Sequence, residues 1–509
     1  MTIVKKNISV YFIIFILLIL SLSDNLFASN INNKWNYKNL LKETLDIAKT
    51  IEGENKDNLL ADICQIFIKN NDFNKCFDLV KTIKNPQKKV LLLCDIAKKH
   101  YKIQNKNQGI LCLKEAENIV FNGLNITEQA DEFAKIAITY AVIEEKQKSS
   151  ELLIIIQKIL DKVNEYDHIT VFDMLNIAQE FIKNKQNDIA KEILNKKLIL
   201  NVPFGGYYGA EGKIKISETY MLLGDTEKTK KILNEIVNYL DKQKTDYNKL
   251  LDLSDVSGIY YRIGNKNKAK SLLAKAINLT KRHKFDSSES YGSKDSVYFN
   301  IGKKYIEVEE YEKMLEVLGL INSNTFKREL LTELIISSQN RDDYPINILV
   351  NGTKKIFSPE EKSQILIDIV NKCSPLKQNK KAEILSEALT VSNKIIDNYN
   401  KDFQLYSIAK EYLYLGNLEV ALKILIDIKN KAARDNVYRC LTVYYVKNNE
   451  KEKYNEVLKN IIDNRTKDFA LQDISLFYFK KGKLDEARNI IDLIKDPFIK
   501  GETFIETIE

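Results

Sequence analysis

From residue 59 onward the apolar positions recur in blocks, and laying the blocks beneath one another brings out twelve anchors. These are Ile63, Ile96, Ile136, Ile177, Ile216, Val256, Ile301, Ile335, Ile369, Ile408, Leu441 and Ile474, spaced 33 to 45 residues apart. Four residues after the anchor an aromatic stands in nine of the twelve blocks: Phe67, Tyr140, Phe181, Tyr220, Tyr260, Tyr305, Tyr412, Tyr445 and Tyr478. One residue after it the side chain is small in ten blocks, and thirteen after it in nine. Anchor and aromatic at i and i+4 share one face of a helix, so each block opens with an amphipathic helix. Gly224, Gly264, Gly416 and Gly482, each eight residues after an anchor, predict the end of that helix. Asp225, Asn265 and Asn417 then open a turn, and a second helix starts near Glu227, Lys266, Glu419 or Asp485.

A pair of such helices leaves an apolar side bare unless a neighbour stacks on it, so the array is expected to propagate as a solenoid. Small residues at offsets 1 and 13 would let the two helices approach closely, with the aromatic covering the gap. Blocks near 40 residues exceed 33 by about two helical turns, which is expected to lengthen both helices. The blocks anchored at Ile335 and Ile369 lack the aromatic and carry Pro345, Pro359 and Pro375, so 340–400 is expected to be irregular repeats or a joint. That gives an N-terminal cap helix within 30–58, a solenoid over 59–339, the joint, and a second solenoid segment over 401–509.

Composition agrees with an all-α chain. Seventeen Gly and six Pro among 509 residues are too few for the turns of a β-sandwich or barrel. Net charge is +8, from 78 basic and 70 acidic residues interleaved along the chain, without the clustered bases of a nucleic-acid footprint. At the start, Lys5 and Lys6 precede an apolar run from Val10 to Leu20 and then Leu26-Phe27-Ala28-Ser29. That order reads as a secretory signal peptide over 1–29, with an uncleaved membrane anchor as the alternative. Export to a periplasmic or extracellular space follows, with membrane contact only if the segment is retained.

The blocks resemble the tetratricopeptide repeat (TPR) family, whose helix pairs carry an apolar-small-x-x-Tyr core, a Gly turn and a small residue in the second helix. Ile408-Ala409-Lys410-Glu411-Tyr412 with Gly416, Ala421 and Leu425 follows that pattern, as do Ile474, Tyr478, Gly482 and Ala487. Unit length varies, and the family's early Trp is absent, since the sole Trp is Trp35. The resemblance implies an all-α, right-handed α-solenoid of about twelve helix-turn-helix repeats that binds protein or peptide segments on its concave face. By resemblance, that face is lined by first-helix residues at offsets −5, −2, +2 and +5. This register gives Tyr101, Tyr261, Phe299, Lys303, Phe403, Tyr406, Lys410, Arg439, Phe469 and Phe479, either as groove residues or as packing between units.

Candidate chemistry is sparse. The loop ending Gly212-Lys213 lacks the first glycine of a phosphate-binding loop and has Ile214 where Ser or Thr would meet magnesium. His100, His168 and His283 stand alone, which points to neither a zinc site nor a histidine triad. Acid pairs such as Glu144-Glu145, Glu309-Glu310 and Glu360-Glu361 fall at turns or helix starts, where solvated charge is the simpler reading than a glycosidase pair. Cys64 and Cys76, at offsets 1 and 13 of one block, could join as a disulfide or serve as two small core residues. The expectation is a non-enzymatic, exported scaffold without cofactor or metal that binds protein segments and not nucleic acid. An envelope enzyme or accessory subunit acting on cell-wall glycan is the alternative.

Overall fold

The computed structural model describes residues 37–163, 167–204, 210–285, 293–338, 346–373 and 376–508. Regular structure among the described residues is entirely helical, and after the first helix, Tyr37–Thr50, the helices alternate as first (A) and second (B) members of pairs. All twelve anchors are buried in A helices, from Gly53–Lys69 for Ile63 to Asn464–Lys480 for Ile474. The chain is an all-α solenoid of helix pairs, as its period predicts. Where offsets 1 and 13 face each other the backbones nearly touch. A Cβ on Gly109 would lie 3.0 Å from the Ala97 carbonyl oxygen. In another pair the Thr229 hydroxyl reaches the Ser217 carbonyl at 3.4 Å. The signal-peptide segment lies outside the described residues.

The A–B turn is more uniform than its sequence. The four predicted glycines have φ between 71° and 87°. Asn71, Gln104, Glu144, Lys185, Glu309 and Asn449, each also eight residues after an anchor, adopt φ of 59–64°. After the glycine turns, Asp225, Asn265 and Asn417 cap the B helix by accepting the N–H three residues on. A side chain in the left-handed region costs about 1 kcal/mol, so Gln104→Gly and Lys185→Gly are expected to stabilise the protein by about 0.5–1 kcal/mol each. Lys114→Gly, in the exposed interior of Lys106–Gly123, should cost about 1 kcal/mol. Urea unfolding of the three variants checks the contrast.

The extra residues of long blocks do not lengthen both helices. A helices hold 17 residues in a 33-residue block (Gly53–Lys69) and in a 40-residue block (Pro86–Lys102). In most long blocks the B helix grows, from 8–10 residues in Phe73–Thr82, Tyr311–Leu318, Leu418–Asp427 and Leu484–Leu493 to 17 or 18 in Lys106–Gly123, Lys146–Val163, Thr226–Lys242 and Lys266–Arg282. The 39-residue block anchored at Ile177 instead keeps an eight-residue B helix, Asn187–Leu194, and adds a short helix, Lys197–Leu200. The A helix packs against neighbouring A helices and its own B helix. The B helix has a freer end.

Short blocks carry a device that long ones lack. Six residues before the anchor stands Asp57, Asp295, Asp402 or Asp435 in four of the five blocks of 33 or 34 residues, and Asp468 in the block anchored at Ile474. The Asp57 carboxylate accepts the Lys84 and Asn85 backbone N–H groups at 3.0 and 2.8 Å. Asp402 does the same for Lys429 and Asn430, Asp468 for Lys495 and Asp496, and Asp295 for Asn322 and Ser323. One buried carboxylate thus satisfies the chain as it turns from a short B helix into the next unit.

The described chain forms two compact units: residues to 139 together with 438 onward, and residues 140–437. In the first, the first and last described helices meet. The last helix, Pro497–Ile508, packs against Tyr37–Thr50 as an A helix packs against its B helix. Leu40, Ala487, Ile491 and Phe504 form one buried cluster, and Arg488 pairs with Glu43 across 445 residues of sequence at 2.5 Å. The N-terminal helix is therefore the missing second member of the final pair, more than a cap.

Within 340–400, the segment expected as irregular repeats or a joint, regular structure among the described residues is helical. Helices Ile346–Thr353, Pro359–Lys372 and Gln378–Ser392 continue the alternating order in the second unit. Pro359 occupies the first turn of its helix behind the N-cap Ser358, where proline is favoured, so it starts a helix rather than interrupting one. Pro345 and Pro375 lie outside the described residues.

Candidate functional site

A polar cleft of about 270 Å³ opens on the A helices of four successive blocks in the second unit. Phe172 and Asn176 come from Asp167–Lys183; Glu211, Ile214, Lys215 and Glu218 from Glu211–Leu222; Asp255, Ile259 and Arg262 from Tyr247–Arg262; and Lys304 from Lys294–Glu307. The 39-to-45-residue spacing of these blocks returns the same helical face to the same side. Phe172 and Glu211 sit at offset −5, Ile214 at −2 and Glu218 at +2 of their anchors, within the register expected to line the groove.

The charged side chains form one chain of ion pairs. Lys215 faces Glu218 at 3.6 Å, Glu218 meets Arg262 at 3.2 Å, and Arg262 reaches Glu307 at 3.0 Å. Lys304 lies between Glu307 at 3.3 Å and Asp255 at 3.2 Å. Gly258 has no side chain where the Glu307 carboxylate lies; a Cβ there would stand 2.8 Å from its Oε2. Burial pushes the Lys304 ammonium toward deprotonation, but the Asp255 and Glu307 carboxylates outweigh it and raise its pKa. Lys304 stays charged and is no general base.

Asp252, one turn before Asp255, is buried and accepts the Ala210 backbone N–H at 3.2 Å. Burial pushes its carboxyl up to about 7, with Asp255, Glu211 and Asp246 adding to the rise. The folded form then binds a proton that the unfolded chain releases at about 3.9. Stability from this group is full below that value and is lost as pH rises toward 7. Asp252→Asn is expected to flatten the decline between pH 4 and 7, read from melting temperature against pH; an unchanged slope would contradict it.

None of the ten residues singled out in the sequence lines this cleft. Tyr261 adjoins Arg262 but lies under the Lys266 ammonium at 5.3 Å. Phe299 stacks on Phe326 with centroids 5.4 Å apart, and Lys303 sits over its ring while pairing with Glu333 at 3.1 Å. Phe403 packs on Tyr399, and Lys410 lies over Tyr414. Tyr101 and Tyr406 are half-buried. Arg439 makes a bidentate pair with Asp473 on the next A helix and lies over Phe469. Phe469 and Phe479 pack against buried clusters near the C-terminus. Phe299, Lys303, Arg439 and Phe469 bridge neighbouring A helices, whereas Tyr261, Phe403 and Lys410 meet residues of their own unit. The acids Glu211, Glu218 and Asp255 were missed: singly they resemble solvated surface charge, and only their alignment across blocks distinguishes them.

Cys64 and Cys76 face each other across one helix pair as their offsets predict, fully buried and with free thiols. The Cys64 thiol lies 3.8 Å from the Cys76 carbonyl oxygen, and its pKa is raised by the Cys76 side chain and by burial.

No protein-family model matches the chain, and no curated protein matches it. Among solved structures, the chain is similar to Ton1535 from Thermococcus onnurineus NA1, at 14% identity over 81% of this chain and 97% of that one, with a TM-score of 0.27. It is similar to Naa15/Naa10 bound to HypK-THB at 12% identity, over 93% and 77%, with a TM-score of 0.31. A signal transduction ATPase with a tetratricopeptide repeat sensor from Pyrococcus horikoshii is similar at 14% identity, over 84% and 56%, with a TM-score of 0.21. Likeness at this level bears on neither ligand nor partner.

Proposed function

We propose that the chain is an exported, non-enzymatic scaffold that holds protein segments along the A-helix face of its second unit. The observation that carries this reading is the cleft itself. Four consecutive repeats contribute side chains to one recess, and at about 270 Å³ the recess falls just below the usual range of small-molecule sites. It suits a side chain of a segment lying across the repeats better than a cofactor. Lys304, held charged, supports a binding role over acid–base chemistry. Lys5, Lys6 and the apolar run Val10–Leu20 support export, though they lie outside the described residues. Among the described residues, no helix is long and apolar enough to cross a membrane.

The test is recovery of cross-linked partners from the native envelope with the wild-type chain, an Arg262→Glu variant and a Lys231→Glu variant on an exposed B-helix position. A protein recovered with wild type and Lys231→Glu but lost with Arg262→Glu is the expected result. Equal recovery by all three would overturn the placement. Capture of wall glycan instead of protein would overturn the scaffold reading.

A further inference from the structure

We propose that the edge of the second unit formed by its last three B-to-A turns rests on the surface of an anionic lipid bilayer. The inference is independent of the cleft and of whether residues 1–29 are retained. The turns precede the A helices Pro359–Lys372, Asn398–Tyr414 and Lys431–Lys447. The first two of these helices pack side by side, and Asp402 of the second accepts the Lys429 and Asn430 N–H groups of the third turn. The three turns therefore follow one another along one edge. Each carries a large apolar side chain in solvent: Phe357 is 79% exposed, Ile396 93% and Ile426 82%. An apolar residue just before an N-cap commonly folds back onto an apolar residue five positions later. Phe357 precedes the N-cap Ser358 and Ile396 the N-cap Asp397, but Lys362 and Lys401 stand at those fifth positions. Neither side chain has an apolar residue there to cover it.

Charge selects the partner. The exposed charged residues around these tips are Lys354, Lys394, Lys429, Lys431 and Arg434 against Asp397 and Asp427. Among the described residues, no ion pair engages Lys394, Lys429, Lys431 or Arg434. Asp397 is occupied as a cap, accepting the Asn400 N–H at 2.7 Å. With the half-buried Lys355, Lys401 and Glu360 and the buried Asp402 and Asp435 included, seven basic residues still face five acidic ones. Apolar tips set among lysines suit a bilayer interface, where the tips enter the acyl boundary and the ammonium groups stay with the lipid phosphates. A nucleic acid would engage the lysines but give two isoleucine tips nothing to bury against. A protein partner binds through anchors seated in packed pockets, whereas these side chains project singly, one from each turn.

The experiment uses the full mature chain and sucrose-loaded vesicles of phosphatidylcholine, alone or with about one-third phosphatidylglycerol, read by co-sedimentation. Wild type is expected to bind the anionic vesicles at least about tenfold more tightly than the neutral ones, and more weakly as salt is raised. Ile396→Ser and Ile426→Ser should each weaken that binding about fivefold to tenfold, and Lys429→Glu combined with Lys431→Glu at least about tenfold. Ile154→Ser, at an exposed position of Lys146–Val163, is the control and should bind as wild type does. Ile396 is almost fully exposed, so its replacement leaves the core intact. Ile396→Trp should shift its fluorescence to the blue on anionic vesicles, and Asn278→Trp, on an exposed B-helix position, should not. Binding to neither vesicle, or equal binding to both, would overturn the proposal. Anionic binding that Ile396→Ser and the paired lysine variant leave unchanged would place the contact elsewhere and overturn it too. Self-association without vesicles, abolished by Ile396→Ser, would assign the edge to a second copy instead. None of these outcomes bears on the scaffold reading, which stands or falls with Arg262→Glu.

Discussion

A chain shortened to begin at Glu52 is expected to lose amide protection in Pro497–Ile508, hundreds of residues away. That helix buries Ile499, Phe504 and Ile505, and in the final pair its counterpart is Tyr37–Thr50, with Leu40, Leu41, Thr44 and Ala48 buried. Gly501 lets the helices close: a Cβ there would stand 2.8 Å from Leu59 and 3.4 Å from Ile47. Each buried leucine contributes about 2 kcal/mol, so the deletion removes several kcal/mol from that pair. Hydrogen exchange of the full and shortened chains reads the effect directly. Phe504→Ala, which empties the same cluster from the other side, should cost about 3–5 kcal/mol in urea unfolding. Unchanged protection after the deletion would show that the two ends do not depend on each other.

Asp468→Ala should destabilise the first unit by about 1–3 kcal/mol, because it removes the buried acceptor of the Lys495 and Asp496 N–H groups at a half-buried turn. Asp468→Asn keeps one acceptor oxygen and is expected to fall between wild type and alanine. The exposed Asp427→Ala is the control, within about 0.5 kcal/mol of wild type. Urea titration separates the three. An Asp468→Ala cost no larger than the control's would mean that the carboxylate does not hold the inter-unit turn.

Much of the fold is legible because a repeat states the same physics twelve times. In nine of the twelve blocks the anchor's burial follows from the i, i+4 pairing with an aromatic, and Gly224 or Gly416 marks a turn that no other residue adopts without strain. The turn at Glu144 or Lys185 is invisible on its own, since nothing in glutamate or lysine announces a positive φ; only its offset of eight from an anchor does. The carboxylate at offset −6 was equally readable in the alignment of short blocks, yet its partners lie 27 and 28 residues away, beyond any local pattern. Closure of the ends depends on Leu40 meeting Phe504, a long-range contact for which periodicity carries no signal.

The site was half legible. Offsets −5, −2 and +2 do lead to Phe172, Glu211, Ile214 and Glu218. The choice of aromatic and basic side chains within that register led elsewhere, to Arg439 and Phe299, whose partners Asp473 and Phe326 lie on neighbouring A helices. A side chain's offset gives its direction. Whether it meets a neighbour or a cleft depends on the size of what faces it, as at Gly258, where the missing side chain makes room for Glu307.

The most direct test of the account is site-specific photo-crosslinking in the native cells, with benzoylphenylalanine placed in turn at Asn176, Glu211, Lys231 and Asn278. The first two lie on the A-helix face beside the cleft and the last two on exposed B-helix positions. Protease-sensitive, nuclease-resistant adducts from Asn176 and Glu211, with none from Lys231 and Asn278, are the predicted result. Adducts confined to Lys231 and Asn278, or adducts removed by nuclease, would contradict it.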